Sequence, residues 1–178
     1  MNPYQNHYYK IYQKDIILSN NITTVSKLPK LEKISFCLGG NKSDDNYIIS
    51  CLSVLNIITG QKPSIIQKNI RHQYIQGKAD KDVIGAKVTL RGSRLYIFIY
   101  KLLFDIFPYI RQFDGLKLPA HKNIYCFIIK DIFSFRELIP LFLYFGGLKC
   151  LQCQFYFNTD NKSDILSLGR SLQLCFIS

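Results

Sequence analysis

Cys150 and Cys153 stand at a Cys-x-x-Cys spacing, half of a zinc site, and few other residues here have types and spacing suited to chemistry. No second pair accompanies them. In an extended segment the two thiols also point to opposite faces, so one ion could not easily take both. "GGNKS" at 39–43 resembles a phosphate loop only superficially, because that loop needs glycine directly before its lysine and Asn41 stands there. His7, His72 and His121 lie scattered in polar stretches, with no Asp or Cys at the spacing of a triad or ligand set. Asp44 and Asp45 are adjacent carboxylates, and their place suits a helix start, where acidic groups meet the positive end of the dipole. No catalytic constellation, metal site or cofactor motif emerges, and an enzyme is the least favoured reading.

What remains is basic. "GAKVTLRG" at 85–92, read with a period of two, sends Ala86, Val88 and Leu90 one way and Lys87, Thr89 and Arg91 the other. "KLEKISFCL" at 30–38 alternates in the same manner: Ile34, Phe36 and Leu38 face inward, while Lys33, Ser35 and Cys37 share a polar, partly basic side. Between Thr59 and Arg94 lie Lys62, Lys68, Arg71, Lys78, Lys81, Lys87, Arg91 and Arg94, opposed only by Asp80 and Asp82, which concentrates +6 in about a fifth of the chain. Lys and Arg supply phosphate contacts, Thr and Gln supply hydrogen-bond groups, and glycine admits close backbone approach. A rigid sheet face of this composition suits the shallow minor groove of an RNA helix, or a loop with splayed bases.

The whole chain carries 23 Lys+Arg against 12 Asp+Glu, a net charge of +11. That surplus costs self-repulsion unless a polyanion offsets it, so nucleic acid is the leading partner and an anionic membrane surface the second. A peripheral membrane protein of this kind needs a basic amphipathic helix, and the basic density here falls on strands and a loop. With 48% hydrophobic and 20% charged residues, the composition is globular. At 178 residues the expectation is one domain, residues 1–178. No run of about 18 apolar residues exists to span a bilayer. "LIPLFLYFGGL" at 138–148 is too short, and Lys101 and Asp105 interrupt 95–110. The six cysteines form no spaced framework and follow no secretory signal, so reduced thiols are expected. Ile, Lys, Phe, Tyr and Asn fill 78 of 178 positions, which points to an A/T-rich gene. The first fifteen residues lack Arg and Ser, unlike an import presequence. Together these features indicate an organelle-encoded protein.

The elements that position the basic face follow from periodicity. A short helix is expected in the first twenty residues, with Tyr8 or Tyr9, Tyr12 and Ile16 on one side. After the strand at 30–38, Ser43-Asp44-Asp45 starts a helix carrying Ile48, Cys51, Leu52, Leu55 and Ile58, and Gly60 stops it. Strands at 64–71 and 84–90 flank a mobile hairpin loop at 72–83. Ser93 is placed to cap a helix running to about Phe107, with Leu95, Phe98, Leu102 and Ile106 along its inner stripe. "NIYCFIIK" at 123–130 is apolar on both faces and reads as a central strand; 149–157 alternates, and a helix follows at about 162–174. The sum is an α+β fold, a mixed or antiparallel sheet with helices packed on one face and a long protruding β-hairpin loop.

Three segments in this order carry a resemblance. "LPKLEKI" (28–34), "ITGQKP" (58–63) and "GAKVTLRG" (85–92) resemble signature segments of the large-subunit ribosomal protein five family. "LYIFIYKLLFDIFPYIRQFDGL" (95–116) is similar to its long helix and following turn, and "NIYCFIIKDIFSFREL" to its next strand and loop, so the likeness covers roughly residues 5–175. The resemblance implies a non-catalytic protein of the central protuberance; the A/T-coded composition adds the expectation of an organelle, most simply the mitochondrion, with a plastid as the alternative. It implies binding to 5S rRNA where present and to large-subunit rRNA. It also implies contact with P-site tRNA, with the small-subunit head across a bridge, and with other central-protuberance proteins. Carried over, the rRNA-binding residues are Lys33, Thr59, Gly60, Gln61, Lys62, Lys68, Arg71, Lys87, Thr89, Arg91 and Arg94. The tRNA-side loop is His72, Gln73, Tyr74, Gln76, Gly77, Lys78 and Lys81. Cys37 stands where the family usually has Asn, and a thiol is a poor substitute for an amide. "LKLPAHKN" after Gly115 lacks the family's Gly-rich turn.

Overall fold

Alternation of covered and half-covered side chains runs through residues 151–157, where Leu151, Cys153, Phe155 and Phe157 are buried. The computed structural model describes residues 2–20, 22–40, 44–67, 83–110, 115–117, 123–148, 150–174 and 176–177. In order these form α1 (Pro3–His7), a π-helical turn (Tyr8–Tyr12), α2 (Gln13–Asn20), β1 (Leu31–Gly39), α3 (Asp45–Thr59), β2 (Ser64–Gln67) and β3 (Val83–Leu90). Then come α4 (Ser93–Lys101), a second π-helical turn (Leu102–Ile106), β4 (Leu116–Lys117), β5 (Ile124–Ile129), α5 (Phe142–Phe145), β6 (Leu151–Phe157), α6 (Lys162–Ser171) and β7 (Phe176–Ile177). Five strands make one sheet in the order β2-β3-β1-β6-β5, and β4 pairs with β7 in parallel. Gly40 N–H donates to the Ile84 carbonyl at 3.3 Å and Ser35 meets Thr89 at 3.3 Å, a constant register sum that makes β1 and β3 antiparallel. β2 and β3 are antiparallel too, with Ser64 opposite Lys87 and Ile66 opposite Gly85. The expected α+β class with an antiparallel sheet is what forms.

Two compact units make up the fold: Met1–Ile34, Leu90–Phe127 and Cys153–Ser178 in one, Ser35–Thr89 and Ile128–Gln152 in the other. In the first, Tyr4, Tyr8, Tyr12 and Ile16 recur every fourth residue and all are buried. Their hydroxyls are satisfied: Tyr8 donates to the Pro29 carbonyl at 2.9 Å, Tyr4 to Gln173 Oε1 at 2.8 Å, and Tyr12 meets Ser167 Oγ at 3.0 Å. Burial pushes the Tyr12 hydroxyl up to about 12. Leu95, Phe98, Leu102 and Ile106 are buried along one side of α4 and its π-helical continuation, as the periodicity requires. Tyr96 packs on Tyr8 with ring centroids 6.0 Å apart. Each such side chain contributes about 1.5–3 kcal/mol on removal from water.

In the second unit, α3 buries Ile48, Cys51, Val54, Leu55 and Ile58 and ends where Gly60 adopts φ 63°, ψ 18°. The left-handed cap lets the Gly60 N–H reach the Asn56 carbonyl at 2.8 Å. Short 3₁₀ segments at Ile132–Ser134 and Arg136–Leu141 lead into α5 and bury Ile132, Phe135 and Leu138.

Four expectations need correction. β5 lies at the sheet edge, not its centre, and Ile128 is 59% exposed. An apolar side chain on an open face had mimicked a strand covered on both sides. Gly92 occupies the cap position before α4, and Ser93 is the first helical residue. α6 stops at Ser171, and Gln173 takes φ 59° beyond it. Leu52 of α3 is only half-buried, and Val54 takes its place in the core. Residues 68–82, which hold the end of the strand expected at 64–71 and all of the hairpin loop but Val83, lie outside the described residues.

Candidate nucleic-acid interface

In the unit built from 35–89 and 128–152, β3 alternates as its sequence dictates. Ala86 and Val88 are buried, while Lys87 and Thr89 are half-buried on the other side. The β1–β3 register places Cys37 opposite Lys87, and β2 places Ser64 there from the other edge, giving a row Ser64–Lys87–Cys37. Ser64 Oγ donates to the Lys87 carbonyl at 3.1 Å, tying the edge strand to its neighbour. One row along, the Ser35 and Thr89 hydroxyls meet at 3.3 Å, which satisfies a serine only 1% exposed.

The "TGQKP" segment is anchored to the same face. Thr59 Oγ1 donates to the Leu55 carbonyl at 2.7 Å and accepts the Gln61 N–H at 3.3 Å. Gln61 Nε2 then donates to the Thr89 carbonyl at 3.1 Å. Gln61 and Thr89, both expected to face a ligand, are thus bonded to each other, and the glutamine amide acts as a clamp between the cap of α3 and β3. That clamp holds Gly60 and Lys62 exposed at the margin of the face.

The other unit presents its own basic group. Lys33 Nζ sits 4.2 Å above the Tyr156 ring, and Tyr156 Oη donates to Gln154 Oε1 at 2.8 Å. Tyr156 and Gln154 are additional half-buried residues beside Lys33; the alternation of 149–157 marks them, but neither carries charge, so the pattern of lysine and arginine does not point to them. Arg91 and Arg94 are exposed at the start of α4. Lys68, Arg71, His72, Gln73, Tyr74, Gln76, Gly77, Lys78 and Lys81 lie outside the described residues.

Cys150 is exposed and Cys153 buried, the opposite facing that their strand spacing requires. Among the described residues no group of three His, Cys, Asp or Glu is placed to hold a metal ion, and no helix is long and apolar enough to cross a membrane.

No family model matches the chain. Among curated proteins, the large ribosomal subunit protein uL5 of Mycoplasma pneumoniae is 30% identical over 181 residues, covering 98% of this chain and 97% of that protein. The chain belongs to the uL5 family. The uL5m of Reclinomonas americana is 34% identical over 144 residues, 78% of each chain. The uL5 of Thermotoga maritima is 35% identical over 138 residues, 72% of this chain and 74% of that one. Membership in uL5 makes this a structural protein and not an enzyme, in accord with the lack of any reactive cluster in its sequence.

Proposed function

We propose that this uL5 protein builds the large ribosomal subunit by binding its rRNA through the open side of the sheet. The observation that carries the reading is the Ser64–Lys87–Cys37 row with the half-buried Thr89 beside it, its hydroxyl 3.3 Å from that of the buried Ser35: a cation set among polar groups on a hydrogen-bonded sheet. Phosphates are held by lysine and arginine, and hydroxyl and amide groups meet ribose across a minor groove. Lys33 over Tyr156, Lys62, Arg91 and Arg94 extend the same chemistry within their own units, and Lys68 and Arg71 continue it along the sequence. The finer role is that of the family resemblance: the central protuberance, 5S rRNA where one is present, the P-site tRNA through the loop at 72–82, and the head of the small subunit across a bridge. The A/T-coded composition and the likeness to a uL5m support an organellar home, the mitochondrion first.

The rival partner for a chain of +11 is an anionic membrane surface. Sedimentation separates the two. The protein is expected to travel with the large subunit, to be released by ribonuclease, and to stay bound in non-ionic detergent. Release by detergent, with flotation on anionic vesicles free of RNA, would establish the membrane reading instead.

A further inference from the structure

The unit built from 1–34, 90–127 and 153–178 gathers a cation, a ring and an amide about Lys33. Lys33 Nζ lies 4.2 Å from the centroid of the Tyr156 ring. On the same side of β6, Gln154 accepts the Tyr156 hydroxyl through Oε1 at 2.8 Å. That bond holds the phenol along its own strand and turns the amide so that Nε2 keeps two N–H donors. The β1–β3 register, carried on from the Ser35–Thr89 pair, sets Arg91 across from Lys33. Lys33, Gln154 and Tyr156 are half-buried, and Arg91 is exposed.

A flat π-face, paired amide donors and two cations are the complement of one unpaired nucleotide. A splayed base stacks on a tyrosine ring, amide N–H groups meet the acceptors on its edge, and lysine or arginine takes its phosphate. A base inside a duplex has both faces covered by its neighbours and cannot use the ring. A carboxylate or a free phosphate would engage the cations alone. Lys33 holds the ring face only weakly, because an ammonium at an accessible site gains little from a π-cloud. A charge-assisted hydrogen bond to a phosphate oxygen is the stronger attachment.

We infer that Tyr156 stacks an unpaired rRNA base, Lys33 moving off the ring to the phosphate of that nucleotide while Gln154 donates to the base edge. The inference rests on the rRNA reading above and adds to it a single-stranded contact. Stacking neutralises no phosphate, so this contact is insensitive to salt.

The test titrates labelled rRNA, stripped from ribosomes that contain the protein, with the full chain over a salt series. Tyr156→Leu keeps apolar bulk and removes the ring. It is expected to lower affinity at least fivefold at every salt concentration, the lower end for loss of one stacked base, and to leave the salt slope unchanged. Tyr156→Phe keeps the ring and is expected to stay within threefold of wild type. Ultraviolet irradiation of the intact ribosomes is expected to join Tyr156 to a base that chemical probing of the stripped rRNA shows to be unpaired. Affinity of Tyr156→Leu within twofold of wild type, a reduced slope in that variant, or Tyr156→Phe as weak as Tyr156→Leu overturns the inference and leaves the rRNA role standing. Should Tyr156→Leu fail to fold, the adduct decides: none on Tyr156, or one to a paired base or a protein, overturns it equally. Failure of the wild-type chain to bind the stripped rRNA overturns the rRNA reading itself.

Discussion

Raising salt from 50 to 200 mM is expected to weaken binding of this protein to large-subunit rRNA by about a thousandfold, on the counterion-release slope for a protein making about six phosphate contacts to a duplex. The reason lies in how charge is distributed. The stretch from Thr59 to Arg94 holds eight basic residues against two acidic ones, and the described members of that set lie half-buried or exposed. Each neutralised phosphate frees condensed counterions, and dissolved salt opposes that release. Lys87→Ala or Arg91→Ala is expected to lower affinity across all rRNA sequences and to reduce the salt slope by about one. Titration of a labelled rRNA fragment over a salt series reads both quantities. A flat response would remove the electrostatic account, and an unchanged slope in Lys87→Ala would remove Lys87 from the contacts.

Gly85→Val is expected to destabilise the fold by about 3 kcal/mol, the upper end for overpacking a tight interior. A Cβ at this position collides with the Leu38 carbonyl oxygen and lies 2.6 Å from Gly39 Cα, so the obstacle is backbone and cannot swing aside. The two strands must part, and with them the register that sets Cys37 and Ser64 about Lys87. For a chain of this size the loss corresponds to a fall in Tm of about 6–12 °C. Gly60→Ala is the control. Nothing lies within 4 Å of its Cβ, so only the left-handed backbone at φ 63° opposes the change, at about 1 kcal/mol. Thermal unfolding of the two variants that gave equal losses would contradict the steric account of the β1–β3 contact.

Legibility followed the physics of each segment. In β1 and β3 the residues read as inward, Ile34, Phe36, Leu38, Ala86, Val88 and Leu90, are all buried, while Leu31 and Ser35 on the other side of β1 are covered as well. The left-handed Gly60 and the stripe Leu95–Phe98–Leu102–Ile106 were equally plain, because one glycine and one period leave a single solution. β5 was misread because periodicity reports side-chain polarity and not coverage; Cys126 and Ile128 are apolar yet exposed. The 3₁₀ path from Ile132 to Leu141 has neither period, and its burial of Phe135 and Leu138 depends on contacts distant in sequence. The Gln61–Thr89 clamp was invisible for a related reason. Both residues were recognisable as polar groups at the face, but only the fold reveals that they bond to each other.

The most direct test of the rRNA role is ultraviolet crosslinking in isolated ribosomes that contain the protein, followed by sequencing of the RNA attached to it and mapping of the attached peptides. Large-subunit rRNA, joined within 31–39 and 59–91, is the expected result, and a 5S-like RNA beside it would add the finer contact. Recovery of no rRNA on these segments, from particles that contain the protein, would contradict the account.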